Sequence, residues 1–177
     1  QQIPVDIPVQ ISTAHMAPVL PQASFIYTVH ERTEMIGYPK LKLWVETKET
    51  DDMDVFVLVQ KLDKNGNVLR QITIPNKSAR IYDNGDFGAS VTVYPGLSGI
   101  QRLSMRHLDE EKATDIIPAY TFDRSEKLAQ GEIVPVEIEL STIGMVLYPG
   151  ESLRLLVSTQ NILGNMMPLN KPYVPHN

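Results

Sequence analysis

The stretch GEIVPVEIEL, residues 131–140, alternates between apolar and polar side chains. Every even position from 134 to 140 is apolar, whereas Pro135, Glu137 and Glu139 occupy odd positions. Successive side chains of a strand point to opposite faces, so this period of two predicts a strand with one buried face.

Other short apolar runs in the chain are bounded by turn residues in the same way. DVFVLVQKL (54–62) is almost continuously apolar, as expected of a strand covered on both faces. The Asn-Gly pair of KNGN (64–67) is typical of a hairpin. No segment has a sustained helical period, although LDEEKATD (108–115) is compatible with one helical turn. Further strands are predicted at 24–30, 40–47, 89–94, 100–107, 132–140, 144–148 and 151–159.

Many short strands without alternating helices predict an all-β fold, either a β-sandwich or a jelly roll. The 177 residues suit one domain. Residues 1–24 contain four prolines and form an extended leading segment by this interpretation. Within it, IPVDIPVQI (3–11) is too apolar for a solvated linker. We expect residues 25–177 to form the sandwich domain, without its last strand.

Charge and cysteine content exclude several classes of partner and chemistry. The 16 basic and 21 acidic residues give a formal charge of −5, which argues against nucleic acid or an anionic membrane as partner. No apolar run is long enough to span a membrane. The chain has no cysteine, so disulfides and thiol catalysis are excluded while the compartment stays open, with the cytoplasm favoured.

The nearest match to a nucleophilic-serine motif is GLSGI (96–100). Ile100 occupies the position where G-x-S-x-G has its final glycine, and no helical pattern follows. We interpret this string as a surface loop. The four histidines lack metal-ligand spacing and are interpreted as structural, although His107 could join a polar cluster with Arg106 and the acidic residues after it. We therefore predict no catalytic, cofactor-binding or metal-binding residue in the chain.

Two acidic strings are candidate calcium sites, because calcium prefers six to eight oxygen ligands. They are ETDDMD (49–54) and YDNGDFG (82–88), and neither matches an EF-hand loop. Turn formation explains their Asp, Asn and Gly residues equally well. Asn76-Lys77-Ser78 is a glycosylation sequon, which matters only in a secreted protein.

Trp44, the single tryptophan, falls on the outward side of the strand predicted at 40–47, together with Lys40, Lys42 and Glu46. Either a loop of the same domain covers it, or it contacts a second domain, since aromatic anchors are enriched at interfaces. Trp44 is therefore our candidate interdomain contact.

Three strings, in order, resemble one family of proteins. TEMIGYPKLKLWVETKETDDMDVFVLVQKLDKNGN (33–67) is similar to the start of the C-terminal domain of the cocaine esterase and Xaa-Pro dipeptidyl-peptidase family of serine hydrolases. LSMRHLD (103–109) and PAYTFDRSEKLAQGEIVPVEIELSTIGMVLYPGESLRLLVSTQN (118–161) resemble later parts of that domain. The residues of the first string that match the pattern of the family are Thr33, Glu34, Gly37, Asp52, Asp54 and Gly66.

The resemblance implies a galactose-binding-like jelly-roll β-sandwich that packs against an α/β-hydrolase domain of the same polypeptide. In that family the hydrolase domain holds the Ser-Asp-His triad, so the resemblance implies an inactive chain within a serine hydrolase of the dipeptidyl-peptidase or acyl-esterase type. It also implies that this domain shapes access to the active site, with homo-oligomer contacts as a further role. The alternatives are a carbohydrate-binding module and a freestanding interaction module; the low aromatic content, 7%, counts against the first.

Overall fold

The computed structural model describes residues 22–69, 71–72 and 93–163, and it is almost entirely β. It also contains a 3-10 turn, Leu103–Met105. The strands are β1 (Gln22–Thr28), β2 (Thr33–Gly37), β3 (Lys40–Glu46), β4 (Asp54–Leu62), β5 (Val68–Leu69), β6 (Gln71–Ile72), β7 (Val93–Tyr94), β8 (Leu97–Arg102), β9 (Ile133–Glu139), β10 (Ile143–Leu147) and β11 (Ser152–Ser158).

One layer is an antiparallel sheet of five strands. Its order is β1-β11-β4-β5, and β8 pairs with β4 on the same side as β5. The central strand β4 is buried along most of its length, which confirms the prediction of a strand covered on both faces. The hairpin predicted after it is also confirmed: Asp63 N–H donates to the Asn67 carbonyl at 2.9 Å, and Gly66 adopts a φ of +84°.

The other layer is built from two ladders that follow one another. β3 pairs with β9, and β2 pairs with β10. Two residues lie between Gly37 and Lys40, whereas three lie between Glu139 and Ile143 on the opposite strand. One extra residue on one side of a ladder is typical of a β-bulge. We call these four strands the ribbon.

The main core lies between the two layers. One cluster joins the five-stranded sheet to the ribbon. It contains Val55, Val57 and Leu97 from the sheet, Val134, Val136 and Ile138 from β9, and Leu140 just after β9. Ile138 is fully buried and Val136 is 1% exposed, so the alternation read from GEIVPVEIEL is confirmed. A second cluster on the opposite face of the sheet contains Phe56, Leu58, Leu156 and Ile162. The all-β prediction is confirmed as a β-sandwich, whereas the jelly-roll connectivity and galactose-binding-like likeness stay predictions.

The interpretation of GLSGI as a surface loop is wrong. Leu97 is 1% exposed and begins β8, which then pairs with β4 through Arg102. Gly99 is required there, because a Cβ at this position would lie 2.4 Å from the carbonyl oxygen of Glu139. The strand predicted at 100–107 therefore begins and ends too late, since Leu103–Met105 is already a 3-10 turn.

Smaller differences concern the ends of elements. The strand β2 was not predicted separately, and β1 begins at Gln22, inside the predicted leading segment. Most of that segment, and most of the strand predicted at 89–94, lie outside the described residues. The helical turn at 108–115 is present as one turn in which Ala113 N–H donates to the Asp109 carbonyl at 2.7 Å.

Candidate interdomain surface

Trp44 points away from the core on β3 and is 67% exposed. It lies opposite Pro135 in the β3–β9 ladder, and Lys42 Nζ lies 5.7 Å from the centre of its ring. Ile133, on the same side of the ribbon, is 63% exposed. We call this side, with Ile36, Lys40, Lys42, Trp44, Glu46, Ile133, Pro135, Glu137 and Glu139, the outer face.

The sequence correctly placed Trp44 beside Lys40, Lys42 and Glu46 on the outward side of its strand. Its high exposure shows that no loop among residues 22–69, 71–72 and 93–163 covers it. Its role as an interdomain contact stays a prediction.

The charges of the outer face neutralise one another. Glu137 pairs with Lys40 at 2.6 Å and with Lys42 at 3.2 Å, and its side chain is largely buried. Burial alone would raise the pKa of Glu137, but hydrogen bonds and charge from the two lysines outweigh it and lower that pKa. A partner of this face would therefore meet a patch with little net charge.

A loop between the 3-10 turn and β9 reaches the same face. Lys40 Nζ donates to the Thr114 carbonyl at 3.1 Å, and the Tyr120 hydroxyl donates to the Glu137 carbonyl at 2.5 Å. Burial raises the pKa of Tyr120 to about 12, so its hydroxyl stays protonated and able to donate. The loop carries two further exposed side chains, Ile116 and Ile117.

His107 fixes the far end of this loop. Its carbonyl accepts a hydrogen bond from Thr121 N–H at 3.1 Å, and its Nδ1 lies 3.3 Å from Thr121 Oγ1. The neighbouring Arg106 donates to the Leu103 and Glu126 carbonyls at 3.0 and 2.5 Å. His107 therefore has the structural role that the sequence favoured, through Thr121, and its described contacts do not include Arg106 or the acidic residues that follow it.

An open cleft of about 710 Å³ lies between this loop, β8 and the end of β9. Its lining includes Ile100, Met105, Pro118, Tyr120, Phe122 and Glu139. Ile100 and Phe122 are 58% and 69% exposed. The sequence singles out neither residue: Ile100 falls at the junction of the predicted GLSGI loop and the strand predicted at 100–107, and no spacing in TFDRS singles out Phe122.

The acidic string 49–54 is engaged in protein contacts. Asp52 accepts from Ser104 N–H at 2.9 Å, from Ser104 Oγ at 2.7 Å and from Arg102 Nε at 2.7 Å. Asp51 pairs with Lys127 at 2.7 Å. Across 22–69, 71–72 and 93–163, no group of three or more His, Cys, Asp or Glu side chains is arranged to hold a metal ion. The second acidic string (82–88) and the sequon at Asn76 lie outside these ranges.

Ser98 lies within β8 rather than on a strand-to-helix turn, the position that a nucleophile of the G-x-S-x-G type needs. Its backbone N–H donates to Ser141 Oγ at 3.1 Å, and its carbonyl accepts from Ser141 N–H at 2.9 Å. His15 and His176 lie outside the described residues, and His30 is exposed. No helix in the described part of the chain is long and apolar enough to cross a membrane.

Comparisons with known proteins agree with this architecture. Residues 21–175 match the family described as the X-Pro dipeptidyl-peptidase C-terminal non-catalytic domain. The chain is similar to a crystal structure of a CocE/NonD family hydrolase from Staphylococcus aureus, with 37% identity and a TM-score of 0.65 over 80% of this chain and 23% of that chain. No curated protein matches the chain.

Two more distant structures share the fold. An aminopeptidase from the marine sediment archaeon Thaumarchaeota archaeon has 15% identity and a TM-score of 0.51, over 80% of this chain and 18% of its own. An alpha-amino acid ester hydrolase has 16% identity and a TM-score of 0.51, over 87% of this chain and 20% of its own. The chain thus spans about a fifth of each of these solved hydrolases.

Proposed function

Because the chain belongs to the family of X-Pro dipeptidyl-peptidase C-terminal non-catalytic domains, we propose that it packs on the α/β-hydrolase domain of the same polypeptide through its outer face. The similar CocE/NonD hydrolase has 77% of its length outside the match, so a larger partner is available in such an enzyme. The resemblance in sequence implies that the catalytic triad belongs to that partner.

The observation that supports this proposal is the exposure of large apolar side chains on the outer face. Ile36, Trp44 and Ile133 are 83%, 67% and 63% exposed. Their neighbours Glu137 and Lys40 are already paired, so burying this face would not leave those charges without partners. Trp44 and Ile133 lie on one side of these paired charges and Ile36 lies on the other. Exposed apolar side chains beside charges that are already neutralised are a composition expected of an interface between domains.

In this proposal the chain contributes no reacting group. The hydrolase domain supplies an activated serine that attacks an ester or amide carbonyl and forms an acyl-enzyme. The non-catalytic domain stabilises that domain and restricts access to its active site. Substrates of the Xaa-Pro peptide and acyl ester classes both follow from the resemblance, and contacts between copies of the enzyme are a further role for exposed side chains.

The test uses the full-length protein that contains this chain, with Trp44→Ser compared with Tyr148→Ser. Tyr148 is a matched control, because it also carries a lysine near its ring, Lys61 Nζ at 5.8 Å, but lies beyond the opposite end of the ribbon. We expect Trp44→Ser to speed proteolytic separation of the domains about tenfold and to lower the activity on Xaa-Pro anilides or aryl esters, while Tyr148→Ser changes neither.

Equal proteolysis and activity in the two variants would contradict docking through the outer face. The carbohydrate-binding alternative predicts a different result: glycans would bind the protein, and Trp44→Ser would abolish that binding without affecting hydrolysis.

A further inference from the structure

Phe122 adopts a backbone conformation that is unfavourable for its side chain. Its φ is +52°, in the left-handed region, and it is the one residue other than glycine with a positive φ in the described part of the chain. A bulky residue rarely occupies this region, and such residues are held there by their surroundings and concentrate at functional positions.

The residues on either side of Phe122 hold it in place. Thr121 N–H donates to the His107 carbonyl at 3.1 Å, and the Thr121 hydroxyl donates to the Asp123 carboxylate. One residue further back, the Tyr120 hydroxyl is tied to the Glu137 carbonyl at 2.5 Å. The loop is therefore fixed by both the ribbon and the segment after the 3-10 turn.

This fixed loop presents the ring of Phe122 to solvent instead of burying it. The side chain is 69% exposed, and its ring lies 5.6 Å from that of Tyr120 with 53° between the planes. Across the cleft, Ile100 is 58% exposed. An exposed aromatic ring in an unfavourable backbone conformation gains little within this domain, so its contribution is expected in a complex.

The cleft is continuous with the outer face through a chain of contacts. The ring of Phe122 packs on that of Tyr120, and the Tyr120 hydroxyl donates a hydrogen bond to the Glu137 carbonyl. Glu137 pairs with Lys42, whose Nζ lies over the ring of Trp44. A partner domain that covers Trp44 can therefore also contact the cleft.

We propose that Phe122 is a preformed anchor of the interdomain contact and inserts into an apolar pocket of the hydrolase domain, which also covers Ile100. This inference rests on the proposed function, which supplies the occupant as the larger part of the same polypeptide. Because the loop is fixed beforehand, docking orders few further side chains, and the loss of conformational entropy on association is small.

Hydrogen exchange of the full-length protein tests this anchor. Phe122→Gly removes the ring and makes the positive φ favourable. We therefore expect the domain's own fold to be more stable and its docking on the hydrolase domain to be weaker. We expect the amides of residues 119–122 and of Ile100 to exchange at least tenfold faster than in the unmodified protein, and the amides of β4 and β11 to keep their rates. Phe122→Tyr, which keeps the ring, should behave as the unmodified protein.

Three other results would overturn the inference, and they are distinguishable. Faster exchange in β4 and β11 as well would show that Phe122 supports the fold of its own domain. Unchanged exchange in Phe122→Gly, with faster domain separation in Trp44→Ser, would remove the anchor and leave the proposed function intact. No effect in either variant would remove both.

Discussion

Asp52 accepts hydrogen bonds from both the backbone N–H and the hydroxyl of Ser104, at 2.9 and 2.7 Å. This contact joins the segment before β4 to the 3-10 turn after β8. Arg102, at the end of β8, adds a third bond to the same carboxylate. Asp52 is one of the residues that carry the family resemblance, and its role is to close one end of the sandwich.

Replacing Asp52 with alanine leaves Ser104 N–H without its acceptor and Arg102 without this carboxylate. We expect Asp52→Ala to lower the free energy of unfolding by about 3 kcal/mol, because the Asp52 side chain is only 8% exposed. Asp51→Ala is the matched control: its carboxylate pairs with Lys127 at an exposed position, and its loss should lower that free energy by less than about 1 kcal/mol. Urea unfolding of the 177-residue chain measures both; equal losses would contradict this account.

The same carboxylate makes the stability depend on pH. Burial alone would raise the pKa of Asp52, but hydrogen bonds from Ser104 and Arg102 outweigh it and lower that pKa from its ordinary 3.8. The unfolded chain therefore takes up a proton at a higher pH than the folded chain. The stabilisation is complete above about pH 5 and is lost progressively as the pH falls below about 4.

Urea unfolding at a series of pH values measures this dependence. In Asp52→Ala we expect a shallower fall of the free energy of unfolding below about pH 4 than in the unmodified chain. A slope identical to that of the unmodified chain would show that Asp52 does not contribute. Glu137, whose pKa is also lowered, keeps part of the acid sensitivity in the variant.

Gly99 and Gly144 form a matched pair for testing how closely β8 approaches β9. A Cβ at Gly99 would lie 2.4 Å from the Glu139 carbonyl oxygen and 2.9 Å from Ile138 Cγ2, whereas one at Gly144 meets nothing within 4 Å. We expect Gly99→Ala to lower the free energy of unfolding by about 2 kcal/mol or more. Gly144→Ala should leave it unchanged or raise it by up to about 1 kcal/mol, because alanine restricts the unfolded chain. Thermal unfolding compares the two variants. An unchanged melting temperature in Gly99→Ala would mean that β8 and β9 are farther apart than described.

The sequence was most informative where a strand has a clear pattern of burial. The alternation at 131–140 and the apolar run at 54–62 predicted β9 and β4 within two residues at each end, because burial of their side chains depends on the layer arrangement alone. It was misleading at β8. There Gly96, Ser98 and Gly99 read as turn residues, yet close approach to β4 and β9 is what requires the glycines.

Within the candidate surface, the sequence predicts the position of one key residue and not of another. The outward position of Trp44 follows from the period of β3 and was predicted. The position of Phe122 depends on a left-handed backbone conformation and on hydrogen bonds between distant segments, such as that between Tyr120 and Glu137. Neither leaves a local pattern in the sequence, so Phe122 could be identified only from the structure.

The register of the ladders has a consequence for how the domain folds. β1 pairs with β11, and β2 and β3 pair with β10 and β9, so each partner comes from the opposite part of the described sequence. Contacts between such distant segments make folding slow, because long loops must close before the pairing stabilises them. During synthesis, β1 to β4 leave the ribosome before β9 to β11 exist. Of these early strands, β4 can pair beforehand with β5 and β8. The apolar strands at the start of the domain must therefore stay unaggregated until the last third of the chain has been made.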